Sequence, residues 1–303
     1  MIKTKSSKEL VRGLSLIAAI MIVSGSMIGS GIFRKPASMA EQLMSPELII
    51  LVWIVAGIAT LIGALSIAEL SGMFSSTGGQ YIYFKESYGD FTAYAYGWSV
   101  IAVVQTGSQA AIAFVFAEYV GFFFKLPDAP KFLQDIVVYM PFVGNINPFA
   151  DFGTKAVAIS CIFFLTFVNY IGVVFGGFVQ SLITFIKIFT ILLLTVLIFM
   201  FGSGSASNIY TGFAVPPEVS SNIFVLFGLA LAGAFWAYDG WINVTYVSGE
   251  VKNPQHNVPK ALFLGTLIVI GVYVLINLAY LYVIPVEEID RKSTRLNSSH
   301  GII

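Results

Sequence analysis

The stretch Gly25-Ser26-Met27-Ile28-Gly29-Ser30-Gly31-Ile32-Phe33 lies inside the first apolar segment of the chain. A helix needs about 20 apolar residues to cross a bilayer, and this segment has the length. Yet three glycines and two serines fall within positions 25–31. Each glycine costs a helix interior roughly 1 kcal/mol relative to alanine. Irregular backbone survives at membrane depth only where protein buries it or where it lines a cavity. A spanning helix that interrupts itself in this way is a candidate binding site.

The rest of the chain supplies the setting. Of its 303 residues, 57% are hydrophobic and 11% charged, with a net charge of zero. Soluble domains carry about 25% charged residues, so this composition implies an all-α polytopic membrane protein embedded in lipid. Balanced charge gives no reason to expect a nucleic-acid partner. Cys161 is the only cysteine. That excludes an internal disulfide and two-cysteine metal motifs, and leaves a small hydrophobe. The sequence has no HExxH pair, no phosphate-binding loop after a strand and no nucleophile–base pair. Neither an enzyme nor a cofactor is expected.

Hydropathy places about seven spans, near 14–33, 48–70, 92–124, 156–174, 178–201, 222–247 and 261–284. The basic N-terminus (residues 1–13, with Lys3, Lys5, Lys8 and Arg12) reads as cytoplasmic and the first helix as retained. Lys85, Lys252 and Lys260 then fall on the same side; Arg34, Lys35, Lys125, Lys131 and Lys155 fall opposite. Glu250 to Pro259, including His256, reads as a polar cytoplasmic loop. The segment from Asp290 to His300 matches the direct translation of a common sequencing-library adapter. Residues 290–303 are therefore expected to be an artefactual tail, with the natural chain continuing beyond Ile289.

A second interruption falls in the sixth span, around Gly233-Ala234-Phe235-Trp236-Ala237-Tyr238-Asp239-Gly240-Trp241. Broken helices at corresponding positions of two halves point to a secondary-transporter site. Spans one and six correspond if each half has five helices. Residues 14–201 would then be a first inverted repeat and 202–286 part of a second.

Unwinding the first break frees the amides of Gly29, Ser30 and Gly31, and a half-helix N-terminus attracts anions such as carboxylates. The alternative is close helix packing, because Gly25 and Gly29 have small-xxx-small spacing. Carbonyls near Met27 and Ile28, and near Trp236 and Ala237, could accept from an ammonium group. Donors for a carboxylate beside acceptors for an amine suit an α-amino acid. Asp239 is costly in an apolar span. It reads either as the N-cap of the second half-helix or as a contact to substrate or proton. Lys187, in Phe185-Ile186-Lys187-Ile188-Phe189, reads either as a fixed ammonium in place of a bound cation or as a snorkelling side chain.

These residues resemble the amino acid–polyamine–organocation superfamily. Gly25 to Phe33 is similar to its first-helix signature. Ala64 to Leu70 followed by Gly78-Gly79-Gln80 resembles its second-helix motif, Gln180 with Lys187 its fifth, and Phe235 to Trp241 with Glu250 and Asn253-Pro254 its sixth. The nearest likeness is to L-type amino acid transporters and bacterial serine/threonine exchangers. The resemblance implies a LeuT-type five-plus-five inverted-repeat fold with alternating access, in the plasma membrane or bacterial inner membrane. It implies that Gly29, Ser30 and Gly31 bind the substrate carboxylate. Ile28 and Trp236 would offer carbonyls to the amine, with the Trp236 ring as a gate, and Lys187 would replace a sodium ion. The implied function is sodium-independent exchange or proton-coupled uptake of small or neutral L-amino acids. A cationic amino acid or polyamine transporter, or a non-transporting receptor, stays open. Many members have glycine at Asp239, so that position is a departure. Cys161 lies away from the loop cysteine that links an ancillary subunit in eukaryotic members, so no such partner is expected.

Overall fold

A computed structural model of the chain describes residues 10–74, 76–141, 144–215, 217–220 and 222–289. Lys3, Lys5, Lys8 and the adapter-like tail lie outside them. Among the described residues seven helices are long and apolar enough to cross a membrane: Leu16–Leu43, Pro46–Met73, Asp90–Phe123, Phe152–Ile171, Val173–Phe201, Ile223–Glu250 and Pro254–Val283. These are the first to seventh spans of a multi-pass membrane protein. The only sheet among the described residues is a short antiparallel ribbon, Val138–Met140 with Gly144–Ile146.

The first span consists of two helices, α1 (Leu16–Met27) and α2 (Gly31–Leu43). Its expected end near Phe33 is ten residues short. Hydropathy drops at Arg34 and Lys35, but the helix continues because it is amphipathic. Ile32, Pro36, Met39, Ala40 and Leu43 are all buried, at helical spacing along one face.

The seventh span likewise starts earlier than expected. Asn253, at φ 47°, caps a helix whose first residue is Pro254. Proline suits that position because the first turn has no use for its missing N–H. His256 therefore sits in the first turn of a helix, not in a loop, although it remains exposed.

The chain packs as two compact units: residues up to Tyr83 together with those from Gly177 onward, and residues Phe84–Gly176 between them. In the first unit the seventh span is central, with 50% of its most apolar window buried. Glycines set how closely its neighbours approach. A Cβ at Gly265 would stand 2.7 Å from the Val23 Cβ of α1, and the Ser24 hydroxyl donates to the Gly265 carbonyl at 3.3 Å. Trp53, Tyr238 and Tyr273, from the second, sixth and seventh spans, form a buried aromatic triad with ring centroids 5.0–5.8 Å apart. The entry to the first span is tied to the exit of the sixth: Leu14 N donates to Glu250 O, and Lys252 N donates to Leu14 O.

In the second unit the third and fourth spans pack through Ala113, Ala117 and Ala158. Only 11% of each span's apolar window is buried there. Their outer faces carry residues such as Phe91, Phe122 and Phe163, suited to lipid contact. Cys161 is half-buried and not fully enclosed. It lines an apolar cavity of about 440 Å³ with Phe116, Pro127, Val157 and Phe164.

Candidate functional site

The two expected breaks are present, and they touch. α1 ends at Met27; Ile28 leaves helical geometry at ψ 98°, and α2 restarts after Ser30. In the sixth span the helix Ile223–Ala237 stops, and Gly240, at φ 108°, leads into a 3-10 segment, Trp241–Glu250. A Cβ on Gly31 would lie 2.9 Å from the Ala237 Cβ and 3.3 Å from the Trp236 ring. A Cβ on Gly240 would lie 2.7 Å from the Ser26 carbonyl oxygen. Contacts of 31 with 237 and of 26 with 240 make the two broken segments cross antiparallel at van der Waals distance. Only glycine permits this approach at Gly31 and Gly240.

Among the described residues, the amides of Gly29, Ser30 and Gly31 donate to no backbone carbonyl; the first α2 bonds run from Phe33 and Arg34 to Ser30 O. The glycines of the packing alternative divide by position. At Gly25 an added Cβ would collide with Thr184 and Gln180 of the fifth span, so Gly25 serves close packing. At Gly29 it would meet nothing within 4 Å, so this part of the break faces open space. Three amides without a backbone acceptor thus lie at the start of α2, with open space at Gly29, and helix N-termini of this kind can receive an anion.

The carbonyls exposed by the breaks are partly used. Lys187 turns inward and donates to Gly25 O at 3.3 Å and Ile28 O at 3.1 Å, so its ammonium does not snorkel outward. The Thr184 hydroxyl, one turn earlier, reaches Met21 O at 3.1 Å. The Tyr273 hydroxyl lies 2.8 Å from Met27 O and 3.0 Å from Ala237 O. A hydroxyl has one proton, so it is shared between the two broken helices. Trp236 O accepts from the Asp239 amide at 3.3 Å. Ile28 O, reached by Lys187 alone among the described residues, retains a second lone pair, whereas Trp236 O is also reached by the Tyr238 amide.

One sequence expectation changes. Asp239 does not cap the second half-helix: Gly240 occupies the N-cap without any side-chain bond, and the Asp239 side chain is exposed. A left-handed cap residue suits glycine, and this displaces the aspartate from the capping position. Trp236 is 57% exposed, with its ring edge at Gly31 and its face under Lys35. Tyr273 and Thr184 were not singled out in the sequence. The one available signal was a tyrosine inside an apolar run, whose hydroxyl needs a partner once buried.

Two discontinuous spans meeting at free amides, with an inward ammonium on the carbonyls at the first break, define a multi-pass membrane protein with a candidate binding site at its helix breaks. The chain belongs to the amino acid permease family, whose model matches residues 14–301. That family is one of transporters, not enzymes. The chain is 31% identical over 282 residues to the human (Homo sapiens) b(0,+)-type amino acid transporter 1, covering 93% of this chain and 53% of that protein. It is 31% identical over 280 residues to the serine/threonine exchanger SteT of Bacillus subtilis (strain 168), covering 92% and 57%. To the rabbit (Oryctolagus cuniculus) large neutral amino acids transporter small subunit 2 it is 30% identical over 286 residues, covering 92% and 49%. The chain thus spans about half the length of these relatives.

Proposed function

We propose that this chain carries the backbone-binding half of an amino acid site in a secondary transporter of the plasma membrane, with its N-terminus in the cytoplasm. The fold is of the LeuT inverted-repeat type, and the protein exchanges small or neutral L-amino acids, or takes them up with protons, by alternating access. The observation that carries this reading is the crossing of the two breaks. It sets the free amides of Gly29, Ser30 and Gly31 beside open space, next to Trp236 and Ala237. In this reading the amides receive the substrate carboxylate. The carbonyls of Ile28 and Trp236 receive its amine, and the Trp236 ring closes over it.

Lys187 supports independence from sodium. Its ammonium already supplies positive charge to two unwound carbonyls, the kind of group that coordinates cations in broken-helix transporters. No separate cation is needed to satisfy them. Likeness to a serine/threonine exchanger and to a large neutral amino acid transporter supports a neutral substrate.

Counterflow tests the proposal. Proteoliposomes of the full-length protein, preloaded with unlabelled L-serine or L-leucine, should accelerate uptake of the labelled amino acid, equally in sodium and in choline buffer. Absence of trans-stimulation removes exchange. Binding retained without any uptake replaces the transporter with a receptor.

A further inference from the structure

We propose that Lys35 is a specificity-determining residue of this site, holding positive charge beside the Trp236 ring and turning away substrates with cationic side chains. The proposal rests on the amino acid site described above and names the substrate class that site admits. Lys35 lies four residues after Gly31 on α2, about 6 Å further along the axis and on nearly the same face. Its stem runs along the sixth span, with Cδ 3.5 Å from where a Gly233 Cβ would be. Its ammonium stands 5.0 Å from the centroid of the Trp236 ring. The same ring meets Gly31 at its edge. The aromatic side chain that adjoins the free amides therefore has a cation on one face.

Among the described residues no salt bridge reaches that charge. A Cβ at Gly233 would make ordinary contact with the lysine stem at 3.5 Å and the Met39 methyl at 3.8 Å, so the stem lies packed along the sixth span. The ring quadrupole favours the cation over its face. A zwitterion bound at Gly29–Gly31 presents its carboxylate to the amides, so its side chain decides whether Lys35 repels it. A second positive charge roughly 10 Å away in a partly desolvated site is disfavoured by roughly fivefold in affinity.

L-Norleucine and L-lysine test this, since they differ only at the side-chain terminus. Each is used to displace labelled L-leucine from the full-length protein, wild type, Lys35→Met and Lys35→Arg. The wild type should prefer norleucine. Lys35→Met, which keeps the stem, should raise lysine affinity roughly fivefold and leave norleucine unchanged, while Lys35→Arg should behave as wild type. An unchanged lysine-to-norleucine ratio in Lys35→Met overturns the proposal. So does equal weakening of both ligands, which would make Lys35 a packing residue of Trp236. An arginine variant that behaves like methionine also overturns it, as does a wild type that prefers lysine. A wild type that binds no amino acid at all overturns the site itself, and this inference with it.

Discussion

At the scale of single residues, the junction of the two breaks depends on one phenol. Tyr273 is fully buried, and among the described residues its hydroxyl is the one side-chain group that reaches both Met27 O and Ala237 O. Tyr273→Phe keeps the ring within the triad with Trp53 and Tyr238 but strands two carbonyls. An unsatisfied buried polar group costs about 1–3 kcal/mol. The variant should therefore melt at lower temperature in detergent and bind labelled amino acid more weakly. A wild-type melting temperature would show that the hydroxyl does not hold the breaks together. Sequence reading could not find this residue, because a tyrosine in an apolar run looks the same whether it faces lipid, an interface or two carbonyls. Lys187 was legible for the opposite reason: a charge at that depth demands a partner. Which carbonyls provided it followed only from the fold.

At the scale of elements, glycine located both breaks, and the structure separates three uses of it. Gly25 and Gly31 allow close approach, Gly29 leaves space, and Gly240 takes a left-handed conformation against Ser26. Gly240→Ala combines a φ of 108° with a methyl pressed on the Ser26 carbonyl. The expected cost is about 2 kcal/mol, from backbone strain together with the steric clash. Its measure is a lowered melting temperature with reduced binding; an unaltered protein would mean that the sixth-span break does not press on the first.

Helix ends were less legible than helix breaks. Hydropathy stops at Arg34, while α2 continues because Ile32, Pro36, Met39, Ala40 and Leu43 still face protein. Glu250 to Pro259 looked like a loop because of its polar residues and prolines, but Pro254 begins a helix. In both cases amphipathic periodicity outweighed mean apolarity. The Asp239 cap was misread because Gly240 alone tolerates the required φ.

For the whole molecule, composition fixed the solvent before any motif was read. A chain with 57% hydrophobic and 11% charged residues belongs in lipid. The order of the spans was equally legible, since each is near membrane thickness. Their roles were not. The seventh span is 50% buried and the third and fourth 11%, although all are apolar. Lipid and protein interior reward the same side chains, so hydropathy alone does not distinguish a central helix from a peripheral one.

The central claim is that the break around Gly29 is the place where an amino acid carboxylate binds. Gly29→Leu tests it most directly, because the new side chain enters open space and not packed neighbours. Equilibrium binding of labelled L-serine and L-leucine to the purified full-length variant is the measurement, with thermal unfolding alongside. The account predicts a protein that melts like wild type and binds neither amino acid. Wild-type affinity in a protein carrying leucine at this position would contradict it.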